Sequence, residues 1–194
     1  SPRHAGLLMT KGLYLDGRTL EGEISPETMR LLEERTAELG ISLAEVMFMK
    51  PWFCSLTIYL KGLEKDGLDA NYGLDAHFYM RARMEGKETA ALETADFQVG
   101  LLSALAEGDQ EELLRQTLMD EGFFAGGMDE LYRAWEEGDA DLIARYMEES
   151  LGAYPKMKDI FLDSRNLSWI APIEEMLRAG ENALVVVGAG HLVG

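Results

Sequence analysis

Apolar residues recur along most of this chain at the three- to four-residue spacing of amphipathic helices. The Ser-Pro-Glu run at 25–27 has the composition of a helix start, with a capping hydroxyl, a proline and an acidic residue. Gly40 is typical of the residue that ends such a helix. The segment 52–60 contains residues that favour a strand, but its apolar positions also form a helical stripe, and we predict a helix there. A last helix is predicted over 160–179.

Two segments have the residue pattern of strands. Residues 183–187 form a continuous apolar run of the buried type, and residues 89–93 form a shorter candidate. We therefore expect an α/β fold that is rich in helices, in which a small sheet of short strands has an inserted helical region. We expect one domain over 1–194, with 97–151 as a helical subdomain. Both ends of the chain are interpreted as cuts within a longer protein.

One helix–helix contact can be predicted from spacing. Leu131 and Trp135 lie four residues apart, as do Leu142 and Tyr146. Residues at this spacing lie on the same face of a helix. We therefore expect the two pairs to pack together, with Trp135 mostly buried.

Charge and composition exclude several classes of partner. The chain has 18 Lys and Arg against 35 Asp and Glu, for a net charge of −17. A phosphate backbone is a poor partner for such a surface, so nucleic-acid binding is not expected. No apolar run reaches the length of about 18 residues that a transmembrane helix needs. Cys54 is the only cysteine, so no disulfide can form within the chain.

His191 is the histidine whose surroundings point to a site. It follows the strand-like run 183–187 through Gly188-Ala189-Gly190. Ligand sites of open sheets lie at strand ends of this kind, and glycines allow a ligand to approach the backbone. A dinucleotide-binding motif would need a third glycine at position 193, where the chain has valine. A structural turn is the alternative reading, because a Gly-x-x-His spacing is also common by chance.

Several short motifs occur in the order seen in a known family. They are Lys50-Pro51-Trp52, Gly73-Leu74-Asp75-Ala76-His77-Phe78, Gly86-Lys87, Leu92-Glu93-Thr94 with Gln98, Arg165-Asn166 with Trp169 and Ile173, and the run 187–194. The ordered set covers most of the chain and resembles the TraB/GumN family, whose relatives include the TIKI metalloproteases. The resemblance implies a metal-dependent hydrolase that acts on peptides, with a peptide or small molecule as substrate. It also implies a location in the bacterial cell envelope or periplasm.

The resemblance also implies a set of site residues. The family's site contains two histidines in G-x-x-H motifs, a glutamate, an arginine and a divalent metal ion, for which manganese, cobalt and zinc all suit the ligands. His191 matches the second histidine, Glu93 the glutamate and Arg165 the arginine. His191 and Glu93 would bind the metal, although Glu93 could instead act as general base, and Arg165 would bind a substrate carboxylate or a developing oxyanion. The first histidine is expected upstream of Ser1, so the chain alone is expected to be inactive.

Structural alternatives remain open for these residues. Glu93 could cap the helix that follows it, and Arg165 could pair on a helix surface with Asp163 or with Glu174 and Glu175. At the level of the whole chain, the alternative is a non-catalytic domain that binds a peptide or small ligand in a groove lined by methionines. A structural helical scaffold is a third possibility.

Overall fold

Helices form nearly all the regular structure in the computed structural model, which describes residues 2–119, 127–152 and 154–193. Gly194, the last residue of the run that resembles the family's second G-x-x-H motif, lies outside this range. Helices are confirmed at two of the predicted positions, since 52–60 lies within one helix and 164–179 within another. Within the described residues, no helix is both long enough and apolar enough to cross a bilayer.

The predicted α/β fold class is wrong, because neither predicted strand has a partner strand in the described part of the chain. Residues 183–187 and 89–91 carry no helix, strand or turn assignment, and a bend follows at 92–93. A strand is stabilised by hydrogen bonds to a neighbouring strand. The apolar pattern of one segment does not show whether such a neighbour exists. Leu184 in the first run is accordingly 71% exposed. A single isolated antiparallel bridge, between Leu13 and Met49, is present among the described residues.

The chain contains two compact units. The first comprises Ser1–Asp69 and Glu93–Ala125, and the second comprises Ala70–Leu92 and Gly126–Gly194. The first unit contains the helices α1 (Pro2–Gly12), α2 (Pro26–Leu39), α3 (Leu43–Val46), α4 (Pro51–Lys65), α6 (Ala95–Ser103) and α7 (Glu107–Met119). The second contains α5 (Leu74–Met84), α8 (Gly127–Glu137), α9 (Ala140–Leu151), α10 (Pro155–Lys158) and α11 (Ser164–Ala179). The single domain over 1–194 and the helical subdomain over 97–151 stay predictions.

The core of the first unit lies among α2, α4 and α7, which pack against one another. Helix α2 begins and ends where its sequence predicts, because the Ser25 hydroxyl accepts a hydrogen bond from Thr28 N at 3.3 Å and Gly40 adopts a left-handed φ of 67°. The buried cluster consists of Leu20, Ile24, Leu32, Val46, Cys54, Ile58, Leu114 and Leu118. Burial of each leucine or isoleucine side chain contributes about 1.5–3 kcal/mol, so this cluster is a major source of the unit's hydrophobic stabilisation.

A carboxylate links α7 to the start of α2. Glu111 Oε1 accepts hydrogen bonds from Ser25 N and from Thr28 Oγ1, each at 2.7 Å. Partial burial of this carboxyl raises its pKa, but the hydrogen bonds from Ser25 and Thr28 outweigh that effect and leave the pKa below its ordinary value. The ionised form of Glu111 is therefore the form that the fold stabilises.

We expect Glu111→Gln to destabilise the first unit by about 1 kcal/mol at pH 7, a value moderated by the partial exposure of the carboxylate. Because the folded-state pKa is lowered, the stabilisation is present above the unfolded-state pKa and is lost as pH falls through the folded-state pKa. Urea denaturation at pH 7 and at about pH 3 should therefore show a difference between wild type and variant that shrinks on acidification. Glu34→Gln, which alters an exposed pair with Arg30, is the control and should cost less than about 0.5 kcal/mol. A difference between wild type and Glu111→Gln that does not change with pH would contradict the assignment.

In the second unit, α8 packs against α9. Ala134 and Ile143 are the buried residues in these helices among the side chains described, whereas Trp135 is 45% exposed. The prediction that Trp135 is mostly buried is therefore wrong. Tyr146 does connect the helices, because its hydroxyl donates to Glu130 Oε2 at 2.9 Å. Spacing of four residues identifies side chains that share a face, but it does not identify which face is covered.

The path from α10 into α11 includes a widened helical turn. Residues Asp159–Asp163 are π-helical and lead directly into α11, which contains Pro172 and ends at Gly180 with a left-handed φ of 70°. Single π-helical turns of this kind occur often at functional sites. This turn lies immediately before Arg165 and Asn166, the first residues of the motif in α11.

Candidate functional site

His191 lies on a short turn that follows residues 181–188, which have no regular secondary structure. Ala189–His191 form one turn of 3-10 helix, closed by a hydrogen bond from His191 N to Gly188 O at 2.9 Å. Gly190 is close to α9, because a Cβ atom at this position would lie only 3.0 Å from Sδ of Met147. A side chain at position 190 would therefore displace Met147 or the turn, and the glycine is needed for this close approach.

Asn166, in the first turn of α11, forms two hydrogen bonds with His191. Asn166 Oδ1 lies 2.8 Å from His191 Nδ1, and Asn166 Nδ2 donates to the backbone oxygen of His191 at 3.4 Å. The amide thus contacts both the ring and the main chain of the same residue. The half-buried His191 is held at a defined orientation against α11.

Trp169 joins His191 to Arg165. Its ring centroid lies 4.6 Å from that of His191, with the planes tilted by 52°, and the Arg165 guanidinium lies 5.2 Å over the Trp169 ring. Trp169 is only 7% exposed, and Arg165 Nη1 donates to Phe161 O in the π-helical turn at 3.0 Å. The structure therefore brings two of the three predicted site residues, His191 and Arg165, into one group. We call Arg165, Asn166, Trp169 and His191 the His191 cluster.

Two of the three acidic residues considered as surface partners of Arg165 contact other cations. Asp163 forms an ion pair with Lys158 at 3.1 Å, and Glu174 pairs with Arg178 one turn along α11. The cluster thus gives Arg165 a defined environment in which its guanidinium packs over an aromatic ring. Its catalytic role stays a prediction.

Glu93 belongs to the first unit, where it precedes α6. Its Oε2 accepts a hydrogen bond from Gln98 Nε2 at 3.1 Å. The capping role that was its structural alternative is taken by Thr94, whose hydroxyl accepts from Phe97 N at 3.1 Å. The prediction that Glu93 shares one metal site with His191 stays a prediction, because the two residues belong to different units.

Asn166 and Trp169 belong to one of the motifs that carry the family resemblance, but the amino-acid sequence alone assigns them no role. Both lie on α11 three residues apart, a spacing that places them on one face of the helix. Their shared helix face and the position of Asn166 directly after the predicted Arg165 are the sequence features that could have suggested a supporting role. Only the folded chain shows that His191 is the residue they contact.

The His191 cluster contains a side chain of the type that binds divalent metals, but it contains too few such ligands to form a catalytic metal site. An imidazole nitrogen binds manganese, cobalt or zinc, and a catalytic metal usually has three protein ligands. Across the described residues, no group of three or more His, Cys, Asp and Glu side chains is arranged to bind a metal ion. His191 would therefore be one ligand, and further ligands would come from outside the cluster.

Two features outside the His191 cluster are the Cys54 thiol and a groove along α5. Burial raises the pKa of the Cys54 thiol to about 12, so this cysteine is not a nucleophile at neutral pH. In the second unit, a shallow open groove of about 650 Å³ is lined by α5 and the turn before it, including Tyr72, His77, Met80 and Met84.

The chain matches a protein-family model and curated proteins from two bacteria. The model of the TraB/PrgY/gumN family matches residues 1–194. Uncharacterized protein YbaP of Escherichia coli (strain K12) is 28% identical over 190 residues, which cover 90% of this chain and 64% of that protein. YbaP of Shigella flexneri matches with the same values. The chain thus spans 64% of the length of the curated relatives it matches. No solved structure matches the chain significantly.

Proposed function

Because the chain belongs to the TraB/PrgY/gumN family, we propose that it carries part of the active site of a metal-dependent hydrolase that cleaves peptides. The observation that carries the proposal is the His191 cluster. It holds His191 in place by one hydrogen bond to the imidazole, one to the backbone oxygen and contact with a buried ring, with an arginine in the same group. The preference for peptides and the location in the cell envelope or periplasm rest on the family resemblance.

Each site residue of the chain would have a separate role in hydrolysis. His191 would bind the metal through Nε2, since Asn166 contacts the other ring nitrogen. The chemistry supplied by a bound divalent ion is Lewis acidity, which polarises a carbonyl and acidifies water. Arg165 would bind the carboxylate of the substrate or the oxyanion that develops at the scissile carbonyl. Glu93 would be either a second ligand or the general base that removes a proton from water.

The test compares the full-length protein with the 194-residue chain in a peptide-cleavage assay. Both are supplied with manganese, cobalt or zinc, and chelator is the control. We expect cleavage by the full-length protein that requires metal, and none by the 194-residue chain, because two protein ligands bind a divalent ion weakly. Full-length protein that is inert in every metal would contradict the hydrolase proposal. Robust metal-dependent cleavage by the 194-residue chain would contradict the argument from the missing ligand.

The groove along α5 favours a second candidate function, the binding of a peptide or small ligand without turnover. Met80 and Met84 in its lining are 57% and 78% exposed, and flexible methionines suit adaptable binding surfaces. Binding that is unaffected by chelator, with the ligand recovered unchanged, would support this function. Loss of that binding in a Met80→Lys, Met84→Lys variant would assign it to the groove.

A further inference from the structure

We infer that Asn166 is a positioning residue that holds the neutral imidazole of His191 in the Nδ1–H tautomer. The use of this tautomer in catalysis rests on the proposed function, whereas the tautomer itself does not. A neutral imidazole has one donor nitrogen and one acceptor nitrogen, and the partner of one nitrogen determines the role of the other. Holding the proton on Nδ1 makes Nε2 the acceptor nitrogen of the ring.

The orientation of the Asn166 amide follows from its two contacts with the same residue. The backbone oxygen of His191 can only accept a hydrogen bond, so the amide group 3.4 Å from it must be the NH₂. The amide oxygen then faces the ring, where it lies 2.8 Å from Nδ1. An amide oxygen is an acceptor, so Nδ1 must carry the proton. The flipped amide would place its oxygen against the backbone oxygen and would lose one of the two bonds.

A second residue of α11 also contacts the His191 ring. Trp169, one turn after Asn166, packs its ring 4.6 Å from that of His191 and is nearly buried. Rotation of the imidazole would therefore break the bond to Asn166 and disturb the contact with Trp169. Histidines that bind metals usually donate their second ring N–H to a partner of this kind, and loss of that partner typically lowers metal affinity or activity 10- to 100-fold.

The tautomer can be read directly by NMR on the ¹⁵N-labelled 194-residue chain. Long-range ¹H–¹⁵N correlation spectra distinguish the two tautomers at a pH where the imidazoles are neutral. The chain has three histidines, so His4→Ala and His77→Ala identify the His191 signals by elimination. We expect the Nδ1–H pattern in the wild type. An Nε2–H pattern in the wild type would overturn the proposal without any variant.

Variants separate positioning from a general structural role. Asn166→Ala should return His191 to the mixture seen for free histidine, in which Nε2–H dominates, whereas Asn166→Asp should retain the Nδ1–H pattern because its carboxylate also accepts. Ser168→Ala is the matched control, since Ser168 is an exposed residue of the same helix turn whose hydroxyl donates to Arg165 O at 2.7 Å. An unchanged His191 pattern in folded Asn166→Ala would contradict the proposal.

Activity supplies an independent readout. In the full-length protein, Asn166→Ala should lower metal-dependent cleavage 10- to 100-fold, with Asn166→Asp recovering part of it and Ser168→Ala leaving it unchanged. If the full-length protein proves inert, the hydrolase proposal fails while the NMR result still stands. If Asn166→Ala cleaves as fast as wild type, the positioning role fails while the hydrolase proposal stands.

Discussion

His191→Ala in the full-length protein is expected to abolish metal-dependent peptide cleavage. If Nε2 of His191 is a metal ligand, its removal leaves the ion with fewer than the three protein ligands that catalytic sites usually have. A weakly held ion neither stays bound at ordinary concentrations nor acidifies its water. The loss should therefore exceed the 10- to 100-fold expected for the supporting residue Asn166. Cleavage is measured over a series of metal concentrations.

His77→Ala is the matched control for this prediction. His77 lies on the exposed helix α5, where its ring contacts Phe78 at 5.3 Å and takes no part in the His191 cluster. We expect its cleavage activity to equal that of the wild type. If His191→Ala cleaved within tenfold of the wild type at all metal concentrations, His191 would not be a ligand and the G-A-G-H turn would be structural.

Trp169→Ala is expected to destabilise the second unit by about 3–5 kcal/mol, the usual cost of removing a buried aromatic ring. Trp169 is 7% exposed and packs against both His191 and Arg165, so its removal leaves a cavity at the centre of the cluster. Total stabilities of about 5–15 kcal/mol make this a large fraction. Urea denaturation followed by circular dichroism measures the change.

Trp135→Ala tests whether burial, and not the loss of any tryptophan, causes that effect. Trp135 belongs to the same unit but is 45% exposed, with its ring 6.0 Å from that of Tyr132. We expect a cost of about 1 kcal/mol or less, as for most surface substitutions. Equal losses for the two variants would show that the packing of Trp169 contributes nothing beyond its size.

The helix ends could be predicted because their causes are local. The hydroxyl of Ser25 caps the residue three positions ahead, and Gly40 takes a left-handed φ that costs other residues energy. Such interactions need no distant part of the chain, so the sequence reveals them.

Local interactions could not show whether residues 183–187 form a strand. Their apolar pattern is the same as that of a buried strand, but a strand exists only where another segment offers its backbone. Trp135 was misjudged for a related reason. The period of the apolar residues identified its helix, whereas tertiary packing decided that Ala134 would be the buried residue.

The amino-acid sequence by itself determined several helices, both ends of α2, the family and the identity of His191 and Arg165 as candidates, because composition, spacing and local hydrogen bonds carry that information. Only the tertiary structure decided that Asn166 and Trp169 enclose His191, since residues 166 and 191 are 25 positions apart and meet through packing. It also decided that 183–187 has no strand partner among the described residues. Contacts between distant residues depend on how whole helices pack, and no local pattern specifies that arrangement.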